Sequence, residues 1–169
     1  MRFSSTFLFF FVSLTLAAPI ASPADNEVTS NKLAARATSD KTKLVNGIQA
    51  NINAGKKEIS STEKAQADAK ANNAKALKTD ESGIKSALNE ATKDRENNQK
   101  IAGNKDPALT AGLAKVQNAQ KGAKQDVNAL TGNPKKDQPD LNKLDQTFQN
   151  GKKTNQANLQ EAKKNFPNH

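Results

Sequence analysis

No cysteine, tryptophan or tyrosine occurs anywhere in this 169-residue chain, and histidine occurs once, as the final residue His169. Each absence removes a class of chemistry. Without cysteine there are no disulfide staples, no thiolate metal sites and no thiol nucleophile. Without tyrosine there is no phenolic acid, and a lone terminal histidine leaves imidazole chemistry to a solvated tail. Aromatics are scarcer still beyond the N-terminus, because five of the seven phenylalanines precede residue 18 and only Phe148 and Phe166 follow. Large apolar residues are also few: Ile, Leu, Val and Phe account for 19 of the 133 residues after Arg36. A composition that thin often belongs to disordered chains. Here the few apolar residues are spaced too regularly for that.

The N-terminus reads as an address. Arg2 supplies a positive start, Phe7 to Leu16 is an apolar run interrupted by Ser13 and Thr15, and Ala17 and Ala18 follow. This is the layout of a cleavable signal peptide over 1–17, with cleavage after Ala17. The run is about half the length a membrane span needs. Residues 18–36 carry Pro19 and Pro23 and end in Leu33-Ala34-Ala35-Arg36, which reads as a disordered leader: either a retained spacer or a pro-segment removed after Arg36. Residues 37–169 form a single domain, and their 23 basic and 15 acidic residues leave a net charge of +8.

Within that domain the apolar residues step by three and four. Leu109, Leu113, Val116, Gln120, Ala123, Val127 and Leu130 make one stripe, with Asp106 as N-cap, Pro107 at the first turn and Gly132 beyond the end. Leu141, Leu144, Phe148, Gly151, Asn155, Leu159, Ala162 and Phe166 make another, opened by Pro139 and closed by Pro167. Leu44, Val45, Ile48, Ile52 and Ile59 begin a third, which an alanine-rich stretch prolongs to Leu77. Ile84, Leu88, Ala91, Arg95, Asn98 and Ile101 or Ala102 form a fourth, capped from Thr79-Asp80-Glu81-Ser82. The spacing predicts four helices near 40–77, 80–102, 107–131 and 139–166, with no readable strand. Short connections and narrow stripes predict an all-α antiparallel bundle. Its glycines at 55, 112, 122 and 151, and its Gln and Asn at core positions, predict marginal stability.

No catalytic constellation, cofactor motif or metal site is readable. Asp94 and Glu96 lie two apart and do not share a helix face, while Glu58 and Glu63 sit among lysines and read as surface ion pairing. There is no phosphate loop, no calcium loop and no N-glycosylation sequon. The basic balance does not indicate nucleic acid. Of the 23 basic residues after Arg36 only Arg95 is arginine, and aromatics for stacking are missing. An acidic partner is the functional reading of the charge: an acidic wall polysaccharide, a surface or a host protein. The candidate binding residues are the lysine pairs Lys56 and Lys57, Lys135 and Lys136, Lys152 and Lys153, and Lys163 and Lys164. A stripe uncovered by bundle opening, with Leu141, Leu144 and Phe148, is the other candidate.

The leader with its Leu16-Ala17-Ala18-Pro19 junction, the Leu33-Ala34-Ala35-Arg36 spacer end and the opening Thr42-Lys43-Leu44-Val45-Asn46-Gly47-Ile48-Gln49-Ala50-Asn51-Ile52 together resemble the cysteine-poor small secreted proteins of filamentous fungi. Leu130-Thr131-Gly132-Asn133-Pro134 resembles the turn between their last two helices. The resemblance implies a secreted, non-enzymatic helical protein acting at the fungal cell wall or host interface, effector-like or surface-associated. A more distant similarity is to fungal hydrophobic-surface-binding and cell-wall proteins, which are helical and bind lipid or apolar surfaces. Two other functions compete with these readings. Thr62 to Asp80 resembles the Ala/Lys/Glu-rich repeats of desiccation protectants, and the charge would also suit a cationic membrane-active, antimicrobial protein.

Overall fold

A computed structural model describes the backbone of residues 23–167 and the side chains of residues 39–167. The described residues form four helices, α1 (Pro23–Lys70), α2 (Ala74–Ala102), α3 (Pro107–Ala129) and α4 (Pro134–Lys164), and no strand. Each helix packs on its two neighbours in the order α1–α2–α3–α4 and back to α1. With short turns between successive helices, this is the antiparallel four-helix bundle that the stripes predict. The signal peptide over 1–17 lies outside the described residues. The spacer over 18–36 is described only from Pro23 and only as backbone, which is already part of α1.

The helix ends follow local chemistry; α1 starts at Pro23, within the leader expected as disordered and ahead of the expected start near residue 40, and two turns also correct the sequence reading. The first turn falls at Ala71–Asn73, not beyond Leu77. Asn72 takes the left-handed conformation at φ 55°, which asparagine tolerates better than most residues. Asn73 then caps α2, its side-chain oxygen accepting from the Ala76 N–H at 3.2 Å. Thr79 to Ser82, expected as the cap, therefore lie inside α2. The second correction is at α4, which starts at Pro134 behind an Asn133 cap, so Pro139 lies inside the helix. Pro139 and Lys135, whose carbonyl loses its partner there, are both exposed, where water can serve. At α3 the expected ends hold: Asp106 accepts from the Leu109 N–H at 3.0 Å and Pro107 opens the helix.

The buried positions repeat in alternating steps of four and three, and on α1 they run 44, 48, 51, 55, 58, 62, 65 and 69. Two apolar clusters result. One holds Leu77, Ile84, Leu88, Val127, Leu141, Leu144 and Phe148 together with Ala65 and Ala69 of α1. The other holds Leu44, Ile48, Ile52, Leu109, Leu113, Leu159 and Phe166. The first lies toward the α1–α2 and α3–α4 turns and the second toward the α2–α3 turn. Alanine faces and two inter-helix contacts at glycine keep the backbones close. A Cβ on Gly47 would overlap the Asn98 side chain, and one on Gly112 would overlap that of Asn158.

Candidate functional site: a polar belt between two apolar halves

Between the two clusters the inward positions turn polar. Asn51 and Glu58 of α1, Arg95 and Asn98 of α2, Gln120 of α3, and Asn155 and Asn158 of α4 are all buried. Asn51, Arg95, Gln120 and Asn155 have partners across the bundle, whereas Glu58 Oε1, both amide atoms of Asn98 and Asn158 Nδ2 have none. Asn155 Nδ2 donates to Asn51 Oδ1, and Asn51 Nδ2 donates to the Ala91 carbonyl, so one relay joins α4, α1 and α2. Arg95 Nε donates to Gln120 Oε1 at 2.8 Å, tying α2 to α3, and its Nη1 donates to Gln99 Oε1 at 2.6 Å. Glu96 completes the guanidinium's contacts at 3.3 Å.

Glu58 corrects its reading as a surface ion pair. Its exposure is 5 %, and its Oε1 is buried without a hydrogen-bond partner. Burial pushes its carboxyl up to about 8, so it carries a proton at neutral pH. The group borders a cavity of about 20 Å³ between α1, α3 and α4. Asn51, Gly55, Val116, Gln120, Phe148 and Asn155 are among the other lining residues. That is room for one water-sized group. The missed signal was register. Ile59 looked like the inward residue, but the alternating steps that place Asn51 and Gly55 inward place Glu58 there too, and Ile59 falls to a half-buried shoulder.

A second ionisable cluster stands at the α3–α4 turn. Asp137 accepts from the Thr131 N–H at 3.0 Å and the Thr131 hydroxyl at 2.8 Å. Burial works to raise Asp137, but these donors and the neighbouring Glu81 hold it below the usual carboxylate range. Glu81 accepts from the Gly132 N–H at 3.1 Å, while burial and the adjacent Asp137 push its own carboxyl up to about 7. Leu130–Pro134 is thus the turn between the last two helices, at the place the sequence assigns it, with Gly132 at φ 76°.

The sequence-derived site residues are not brought together. Lys135 and Lys136 sit at the start of α4, Lys163 and Lys164 at its end, and Lys56, Lys57, Lys152 and Lys153 along the middle of α1 and α4. All are exposed except the half-buried Lys152, and Lys57 pairs with Glu90 at 2.9 Å. Leu141, Leu144 and Phe148 are buried in the first apolar cluster and form no surface in the closed bundle. Among the described residues, no group of three or more His, Asp or Glu is arranged to hold a metal ion, and no helix is long and apolar enough to cross a membrane.

Fold and belt together define a class: a cysteine-free antiparallel helical bundle with heptad spacing and a hydrogen-bonded polar layer across its middle. No family model matches the chain, and no curated protein or solved structure matches it either.

Proposed function

We propose that this chain is exported and works outside the cell as a non-catalytic interaction protein at a fungal wall or host interface, where its lysine-covered exterior engages an acidic partner. The observation that carries the reading is the sorting of charge. Glu58, Asp80, Asp106 and Asp137 are buried, and Arg95 is the only buried cation among the described residues. Every lysine described is exposed or half-exposed, and four of them close on a carboxylate. The surface is therefore more positive than the composition alone suggests, which favours long-range attraction to an acidic polysaccharide or protein. The lysines are spread over the whole bundle, which suits an extended polyanion better than a compact anionic ligand. The desiccation-protectant alternative draws on Thr62 to Asp80, and there Thr62, Ala65, Ala69 and Leu77 serve as core packing of a folded bundle. The membrane-active alternative needs an apolar face for insertion, and the large apolar side chains point inward.

Retention of the secreted protein on isolated fungal walls tests the reading. Binding should fall steeply as salt is raised toward about 1 M, where the screening length shrinks to about 3 Å. Retention unchanged at that salt, or absence of the protein from the culture medium and wall, would refute it.

A further inference from the structure

The cavity beside Glu58 has a chemical bias. Its two buried atoms without partners, Glu58 Oε1 and Asn155 Oδ1, are both oxygens. Three nitrogens of the belt donate elsewhere: Asn155 Nδ2 to Asn51, Asn51 Nδ2 to the Ala91 carbonyl, and Arg95 Nε to Gln120. With Glu58 ionised, both oxygens call for hydrogen-bond donors. Anions, which bring only acceptors, do not answer that demand. An ammonium group brings three donors and no lone pair.

We infer that the cavity between α1, α3 and α4 is a binding site for a small primary amine, held as its ammonium ion with Glu58 as counter-ion and Asn155 Oδ1 as second acceptor. Size and lining agree. The space of about 20 Å³ takes an ammonium head, with Val116, Ala123 and Phe148 offering apolar contact to the first carbons. Apart from its chain neighbours and its own helix backbone, no atom lies within 4 Å of where a Cβ on Gly151 would stand, which leaves a path beside the cavity for an alkyl chain. No ion pair joins Glu58 to the half-buried Lys152 at the rim, so no cation of the described chain fills the place. The empty site keeps Glu58 as the neutral acid. An entering ammonium displaces that proton to the buffer and leaves a carboxylate–ammonium pair. This site is independent of the exterior lysines, and its failure would leave the wall-binding reading untouched.

Calorimetric titration of the full secreted chain with ethylammonium chloride at about pH 6.5, in two buffers of different ionisation enthalpy, provides the test. Saturable heat is expected, with release approaching one proton per amine bound. Tetramethylammonium, which has no N–H and is bulkier, should give none. Glu58→Gln keeps the shape but removes the counter-ion, and should lose about tenfold or more in affinity and abolish proton release. Gly151→Leu blocks the path while leaving Glu58 in place and should also abolish binding, which decides the matter if Glu58→Gln fails to fold by circular dichroism. A cavity holding water alone would give no ethylammonium heat. That result, equal binding of tetramethylammonium, or undiminished affinity in folded Glu58→Gln or Gly151→Leu would overturn the assignment.

Discussion

The apolar halves of the bundle and the belt between them follow the same heptad spacing with different residues. In the halves the inward positions are Leu, Ile, Val and Phe, which pack in many registers about equally well. In the belt they are Asn51, Glu58, Arg95, Gln120 and Asn155, and all of these but Glu58 make hydrogen bonds that form only when particular helices stand at particular heights. Burial in the halves supplies most of the folding free energy. The belt contributes little net stability, because each of its bonds replaces one to water. What it adds is selection among sliding alternatives, the role best attested for buried polar residues in coiled coils. With that selection in place, a chain with so few large apolar residues can still specify one bundle.

The largest effect should come from an apolar half. Leu144 is fully buried, and Leu144→Ala should cost about 3 kcal/mol, read as a lower urea midpoint with unchanged slope. A loss under about 1 kcal/mol would mean that the halves do not carry the stability.

The belt's signature is pH dependence. Glu58 has an ordinary value of 4.5 and is raised to about 8 in the fold. Between those values the folded chain holds a proton that the unfolded chain has released, so stability falls as pH rises through the window and levels off above about 8. A tenfold change in proton affinity corresponds to about 1.4 kcal/mol, and water entering the cavity reduces the total, so a loss of about 2 kcal/mol is expected between the two ends. Glu58→Gln should remove that loss. The smaller fall that remains should lie between 4.5 and about 7 and level off above that, because Glu81 is raised across that range. Urea unfolding from pH 5 to pH 9 would show both. A Glu58→Gln curve parallel to wild type would place the carboxyl in water and undo the account of the belt.

How much of this was legible depended on which atoms carried the signal. The stripes of α3 and α4 were readable because Leu, Val and Phe mark the inward face and because Asp106 and Pro107 act within one turn of themselves. The first turn was misplaced because alanine marks no face and the decisive event, Asn72 entering the left-handed region, costs too little in asparagine to leave a compositional trace. Pro134 stands in the turn that the sequence assigns between the last two helices, although it also fits a first helical position. Glu58 was hidden by its chemistry, since a carboxyl between lysines suggests solvent, and only strict counting from Leu44 and Ile48 puts it inside. The lysine pairs were plain in the sequence, but their dispersal over the length of the bundle depends on helix order and direction. The donor-hungry cavity is a property of three helices at once and has no local pattern.

Two glycines probe the boundary between belt and halves with smaller effects. Gly112 stands where α3 meets the buried Asn158 side chain, and an added methyl would overlap it. Gly112→Ala should therefore cost about 1–2 kcal/mol, the usual penalty for overpacking, although alanine is the better helix former. Gly122 lies in the same helix with nothing within 4 Å of a would-be Cβ and with a negative φ. There the helix preference acts unopposed, and Gly122→Ala should stabilise by about 0.5–1 kcal/mol. The two substitutions are chemically identical, sit in one helix and differ in what faces them, so their opposite signs would isolate packing against the belt's border from intrinsic propensity. If both raised the melting temperature, the Asn158 amide would have to swing aside at little cost, and the border would be looser than the apolar halves it separates.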